Sequence, residues 1–374
     1  LFIGGLFLAF SKRKPIRVLI VDDSAMVREF LRSSLNAKPD IEVVGAAADP
    51  YFARDKFLKL KPDVITLDIE MPRMDGLTFL KKLMNAYPTP VVMFSSLTME
   101  GAEATLQALE YGAVDFVAKP SRNVSSYQEN LVEELAEKIR GAVKAKLRKT
   151  PISMDKLEVP QKVEVDEVVA LTKAPPRSGG PMVVLMGAST GGTVALEQVL
   201  KRLPKDSPPI AIVQHMPIHF TKAFADRLDS LVEIEVYEAK DNQTLSPGQA
   251  VIAPGGRHML LERGKNGYKV RVKDGPPVNR HKPSVDVLFR SGVNNAGSNA
   301  VAVIMTGMGN DGAQGLKNLH QAGAFTVAQN EETCTVYGMP KSAVEIGAAS
   351  RVVPLANIAP LIIGLWKDAA KGRK

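Results

Sequence analysis

A chain of 374 residues can fold as two or three domains, each large enough to bury its own core. With 45% hydrophobic and 24% charged residues it matches soluble globular proteins, which excludes a disordered chain and a polytopic membrane protein. The single cysteine, Cys334, excludes an intramolecular disulfide and a cysteine-rich zinc site, and is the usage expected in a reducing cytoplasm.

The net charge of +8 comes from 48 Lys+Arg against 40 Asp+Glu, a balance that raises the question of nucleic acid. The basic segments at 11–14, 144–149 and 367–374 flank apolar-patterned regions and do not form one stripe interleaved with aromatics, so no nucleic-acid partner is expected. Leu1 to Phe10 is almost wholly apolar and is followed by basic residues. That is the wrong order for a secretory signal, and ten residues are too few to span a bilayer. Residues 1–14 are therefore read as an unassigned extension, a start-site artefact in preference to a membrane contact.

From Ile16, apolar strand-like runs alternate with amphipathic stretches: Val18 to Val21, Val43 to Ala46, Val64 to Leu67, Val91 to Phe94 and Phe116 to Ala118. Five βα units in about 125 residues predict a doubly wound parallel sheet over 15–140. The pattern breaks over 141–180 into Lys, Glu, Val and Pro-rich sequence ending Ser178-Gly179-Gly180, which reads as a linker. A second α/β region follows over 181–370, with strands expected at Met182 to Met186, Ile210 to Gln214, Ile234 to Tyr237, Ala250 to Ala253 and Val301 to Met305. Alternating residues from His258 to Val272 around Gly264-Lys265-Asn266-Gly267 predict an inserted β-hairpin.

Open α/β sheets carry their sites at the carboxyl ends of the strands. In the first region those positions hold Asp22, Asp23, Asp68, Ser95 and Lys119. Three carboxylates at one sheet edge repel one another unless a hard cation neutralises them, and such oxygen ligands suit Mg²⁺. A metal, a lysine and a hydroxyl around one carboxylate also suit phosphoryl transfer, with Asp68 as the acceptor. Each Asp taken alone reads more simply as a solubilising loop residue. Five chemistry-bearing residues at the ends of these strands together do not.

Val21-Asp22-Asp23-Ser24, Leu67-Asp68, Met71-Pro72-Arg73-Met74-Asp75-Gly76, Ser95 and Lys119-Pro120 resemble the signature of response-regulator receiver domains, which have a flavodoxin-like fold. The resemblance implies that Asp68 is phosphorylated by a histidine kinase and that Asp22, Asp23, Asp68 and the Glu70 backbone hold Mg²⁺. It also implies that Ser95 and Lys119 read the phosphoryl group, that Phe116 is the aromatic switch position, and that the Lys119-Pro120 bond is cis.

In the second region, Met182 to Met186 runs into Gly187-Ala188-Ser189-Thr190-Gly191-Gly192 and then a helix expected over Thr193 to Leu203. A serine on a sharp strand-to-helix turn sits near a helix N-terminus, where an oxyanion is favoured. Alone the motif is weak, and a Gly-rich turn or phosphate-binding loop reads equally well. A nucleophile needs a base and an orienting acid. His215 directly follows the strand Ile210 to Gln214, Asp311 lies in Thr306-Gly307-Met308-Gly309-Asn310-Asp311-Gly312, and Met308 offers a backbone oxyanion donor. His219 reads as a surface or positioning residue. The order Ser, His, Asp differs from that of α/β-hydrolases.

The run 187–192, Gln214-His215-Met216-Pro217, Ala253-Pro254-Gly255-Gly256-Arg257-His258-Met259, Pro283 to Phe289 and Met305 to Gly312 together resemble the CheB-type chemotaxis protein-glutamate methylesterases, in that family's domain order. The resemblance implies Ser189, His215 and Asp311 as catalytic residues with Thr190 and Met308 beside them. It further implies a cytoplasmic enzyme, activated by phosphorylation from a chemotaxis histidine kinase, that hydrolyses glutamate methyl esters on chemoreceptors and releases methanol. Glutamine deamidation is open to the same acyl-enzyme chemistry, and the esterase reaction needs no cofactor. In the family the unphosphorylated receiver packs over the esterase cleft. The rival readings are a DNA-binding output, a nucleotide-binding module at 187–192 and a general serine esterase.

Overall fold

The computed structural model describes residues 14–71, 74–96, 98–119, 125–146, 169 and 180–371. Leu1 to Phe10, Pro120 and most of the expected linker lie outside them, and with Pro120 the expected cis bond after Lys119. Among the described residues the cis peptide bond is Lys282-Pro283.

The first unit alternates β1 (Ile16–Val21), α1 (Ala25–Asn36), β2 (Ile41–Ala47), α2 (Pro50–Leu60), β3 (Val64–Leu67), α3 (Gly76–Ala86), β4 (Val91–Ser95), α4 (Met99–Glu110), β5 (Asp115–Ala118) and α5 (Ser125–Val143). The strands form one parallel sheet in the order β2-β1-β3-β4-β5. Helix starts are set locally. Ser24 accepts from Val27 N at 3.4 Å, Asp49 accepts from Tyr51 N and Phe52 N with Pro50 in the first turn, and Asp75 accepts from Thr78 N at 2.8 Å. Helix α5 runs three residues into the stretch expected as linker, because Gly141 and Ala142 are buried and extend its packed face.

The second unit contains β6 (Val183–Ala188), α6 (Gly192–Leu200), β7 (Ile210–Gln214), α7 (Phe220–Asp229), β8 (Glu235–Glu238), β9 (Thr244–Leu245), β10 (Gln249–Ile252), β11 (His258–Arg263), β12 (Tyr268–Lys273), α8 (Val285–Asn295), β13 (Ala300–Ile304), α9 (Ala313–Gln321), β14 (Phe325–Gln329), α10 (Met339–Glu345), β15 (Arg351–Val353) and α11 (Leu355–Lys371). Seven strands form a parallel sheet, β15-β14-β13-β6-β7-β10-β8. The expected hairpin is β11-β12, and β9 joins it in a separate antiparallel sheet of three strands. Helix α6 ends at Leu200, short of the expected Leu203.

Both α/β sheets reverse their winding at one point, between β1 and β3 in the first and between β6 and β13 in the second. These crevices are where ligands bind in doubly wound folds. Asp22 and Asp68 follow the strands at the first reversal, and Ser189 and the 306–312 loop follow those at the second. The two units also share a core. One buried apolar cluster runs from Leu106, Leu109 and Phe116 into Leu196, Phe220 and Phe224.

Candidate active site

The glycines around Ser189 make its turn possible. Gly191 takes φ +77°, and a Cβ there would stand 2.4 Å from Thr335 Cβ, so only glycine fits both the conformation and the space. Ser189 is held from both sides. Its N–H donates to Thr306 O at 3.0 Å, and its carbonyl accepts from Gln214 Nε2 at 3.0 Å. The neighbouring His215 N–H donates to Ala188 O at 3.1 Å, so the ends of β6, β7 and β13 are tied at one sheet edge.

His215 and Asp311 come together directly, with Nε2 to Oδ2 at 2.8 Å. Asp311 is buried and accepts from four further donors: Val285 N at 2.6 Å, Ser284 Oγ and Asn279 Nδ2 at 2.8 Å each, and Asp286 N at 3.3 Å. Two of these are amides of the first turn of α8, whose positive end faces the carboxylate. Burial alone would raise this acid, but the His215 hydrogen bond, the imidazoles of His215 and His281 and the Asn279 donor hold it well below the usual carboxylate range.

With Nε2 donating to Asp311, the lone pair of His215 lies on Nδ1, which is buried and has no hydrogen-bond partner among the described residues. Among them, no hydrogen bond joins His215 to Ser189 Oγ. The acid thus grips the imidazole by Nε2, the reverse of the chymotrypsin arrangement.

His281, which motif reading passed over, stacks on His215 with centroids 3.6 Å apart and planes 12° apart. Withdrawal from solvent and the neighbouring His215 push its imidazole down to about 3, so at neutral pH it presents an uncharged face. Asn279 and Ser284 were likewise missed as Asp311 donors. Their signal is their place in Asn279 to Ser284, a loop with positive φ at Asn279 and Arg280 that carries three groups to one carboxylate and one ring.

Thr190 and Met308 flank this site, and the first unit reaches both. Thr190 Oγ1 donates to the Asp115 carboxylate of β5, and the pair is buried. Asp115 also accepts from Lys138 of α5 at 3.0 Å. Gly141 of α5 lies against Met308, so close that a Cβ on it would sit 3.1 Å from the sulfur. Phe116 stacks on Phe220 at 4.6 Å, Glu137 pairs with Arg280, and Glu110 pairs with Arg227.

At the other reversal, the oxygens of Asp22, Asp23 and Asp68 lie within 4.8 Å of one another. Lys119 Nζ is 2.8 Å from Asp22 Oδ2 and 2.6 Å from Asp68 Oδ2. Burial raises the Asp68 carboxyl to about 6 against the pull of Lys119. Ser95 Oγ points to Gly101 O at 3.3 Å, and the exposed Glu70 side chain accepts from Ser96 Oγ at 3.3 Å. Three clustered hard oxygen donors fit Mg²⁺.

A family model described as CheB methylesterase matches residues 184–362, and one described as response regulator receiver domain matches 18–129. Protein-glutamate methylesterase/protein-glutamine glutaminase 2 of Hahella chejuensis is 52% identical over 353 residues, 94% of this chain and 96% of that one. Protein-glutamate methylesterase/protein-glutamine glutaminase 3 of Shewanella oneidensis is 53% identical over 355 residues, 94% of this chain and 100% of that one. The crystal structure of the Thermotoga maritima CheB methylesterase catalytic domain is 38% identical and covers 50% of this chain and 99% of that one, with a TM-score of 0.49. The chain is a response regulator, a receiver joined to an α/β output domain of seven parallel strands. It belongs to the CheB family of protein-glutamate methylesterases/protein-glutamine glutaminases. Among the described residues no helix is long and apolar enough to cross a membrane.

Proposed function

We propose that this chain is a phosphorylation-activated protein-glutamate methylesterase, with glutaminase activity at the same site, acting in the cytoplasm on methylated chemoreceptor domains. Residues 15–140 form the receiver and 181–370 the esterase. Ser189 Oγ attacks the γ-ester carbonyl while His215 Nδ1 takes its proton. The Met308 backbone N–H and Thr190 steady the oxyanion. Collapse of the tetrahedral adduct expels methanol, which receives the proton from His215. Water, deprotonated by the same imidazole, then releases the glutamate carboxylate and regenerates Ser189. With a glutamine substrate the leaving group is ammonia. Asp311 keeps the imidazole in one tautomer and balances its charge when protonated. Glutamate esters, glutamines and glutamates differ only at the acyl carbon's leaving group, so one pocket serves both reactions.

The receiver supplies the switch. Asp68 accepts the phosphoryl group from a chemotaxis histidine kinase, and Lys119, Ser95 and Phe116 respond to it. Asp22, Asp23, Asp68 and the Glu70 backbone would hold Mg²⁺, which when bound neutralises the clustered carboxylates and the phosphoryl oxygens. The observation that supports the reading best is the direct seating of receiver residue Asp115, and of Gly141 where α5 runs on past the receiver, on Thr190 and Met308, the neighbours of the Ser189 and His215–Asp311 site.

The test is methanol release from a methylated chemoreceptor cytoplasmic fragment, with and without Mg²⁺ and a small phosphoryl donor. Release should rise with the donor and fall by on the order of 10⁴-fold or more in Ser189→Ala. Activity that survives in Ser189→Ala would remove the serine from the chemistry.

A further inference from the structure

We propose that the cleft beside the catalytic histidine binds an acidic stretch of the protein substrate, with Arg257 as the anchor for a carboxylate flanking the scissile glutamate. The inference rests on the methylesterase reading and extends it from the reacting group to how a protein substrate is held.

The cleft has a volume of about 600 Å³ and lies between the start of α7, the loop after β10 and the loop before α8. Two stretches of chain tie its lining to the active site. Ile218 and His219, which line it, follow His215 by three and four residues, a reach of no more than about 11–14 Å. Lys282, on its wall, directly follows His281, the ring stacked on His215. On the methylesterase reading, residues flanking a glutamate ester held at Ser189 come within reach of this cleft.

The charges on the walls are unequal in what they have left to bind. Glu238 accepts from Thr221 Oγ1 at 2.6 Å, and Asp274 is paired with Lys282, with the Arg257 charge helping to hold its carboxyl below the usual range. Lys222 is paired with Asp226 one turn along its helix. Arg257 is exposed and, among the described residues, its side chain makes no ion pair or hydrogen bond, its charge being felt by Asp274 across the cleft. Its backbone is fixed, with N–H to Pro254 O at 3.3 Å and the preceding Gly256 N–H to Lys282 O at 3.1 Å. Gly255 packs so closely on Pro217 that a Cβ would lie 2.3 Å from its carbonyl carbon. A guanidinium that forms no ion pair and is rooted on a fixed turn offers a carboxylate two parallel donors. The substrate supplies the complement, because each turnover at a glutamate ester leaves a carboxylate on the same segment.

The experiment compares two substrates in the full chain with saturating phosphoryl donor: a methylated receptor cytoplasmic fragment, and N-acetyl-glutamate α-amide γ-methyl ester, which is too small to reach Arg257. For the protein substrate, Arg257→Glu should raise KM about 10–100-fold with kcat within about twofold, the loss expected for one charge-assisted hydrogen bond. Arg257→Lys should recover most of the charge effect. Turnover of the small ester should be unchanged in both, which also certifies the fold. An unchanged KM for the protein substrate in Arg257→Glu overturns the proposal, as does an equal loss on both substrates. A native chain that releases no methanol from either ester instead overturns the methylesterase reading beneath it.

Discussion

Replacing Gly141 with leucine should turn the enzyme on without phosphorylation. Gly141 is buried near the end of α5, and the three atoms nearest an added Cβ all belong to Met308 of the esterase, beginning with the sulfur at 3.1 Å. The new side chain thus meets the other domain, while within its own helix leucine is favoured over glycine by up to about 1 kcal/mol. Forcing extra atoms into a tight contact costs about 1–3 kcal/mol. That cost falls on the closed arrangement alone. At about 1.4 kcal/mol per tenfold, the open-to-closed ratio should rise about 5- to 140-fold. Basal methanol release should rise by that factor, up to the ceiling set by the phosphorylated enzyme, and stimulation by the donor should shrink correspondingly. Arg227→Ala is the control. It removes a partly exposed ion pair to Glu110 across the same interface, worth at most about 1 kcal/mol, so basal activity should change less than about fivefold. A Gly141→Leu protein that melts like the native chain yet keeps native basal activity and full stimulation would refute the claim that this contact holds the enzyme shut.

Two further outcomes follow from the charged groups. Asp68→Ala should keep basal activity and lose all stimulation by phosphoryl donor, measured by the same methanol assay; normal stimulation would place the acceptor elsewhere. Asp286 is buried beside Asp311, and burial followed by that neighbouring carboxylate raises it to about 7. The native state therefore binds more protons than the unfolded chain between about pH 4 and 7, so this group's contribution is full at the acid end and is lost as pH rises through 7. Denaturant unfolding from pH 4 to 7 should show that decline in the native chain and a flatter profile in Asp286→Asn; parallel profiles would contradict the assignment.

Most of the fold could be read from the chain because parallel strands buried on both faces leave continuous apolar runs, and the residues closing those runs are the ones at the sheet edge. Val64 to Leu67 followed by Asp68, and Ile210 to Gln214 followed by His215, are such cases. Strands β14 and β15 escaped notice for the opposite reason. Thr326 and Gln329 interrupt the first with buried polar groups, and the second is a three-residue edge strand whose Arg351 and Val352 are exposed. The site was legible in the same uneven way. Ser189, His215 and Asp311 sit on turns with a pattern, whereas His281 and Asn279 come from an irregular loop whose target is set only by tertiary packing. The contacts between Asp115 and Thr190 and between Phe116 and Phe220 join residues far apart in sequence through surfaces that carry no periodic signal. Nor does a sequence say which imidazole nitrogen the acid holds.

The seating of the receiver on Thr190, Met308 and Phe220 also sets how strong that surface needs to be. Because receiver and esterase are one chain, each sees the other at a local concentration on the order of millimolar. An interface with an affinity near 1 mM, about 4 kcal/mol, then sits close to half occupied, and a little more holds the site mostly covered. Such a surface would dissociate at once if the two halves were cut apart at micromolar concentration. A surface of that strength is also switchable, since a single phosphoryl group would have only a few kcal/mol to overcome.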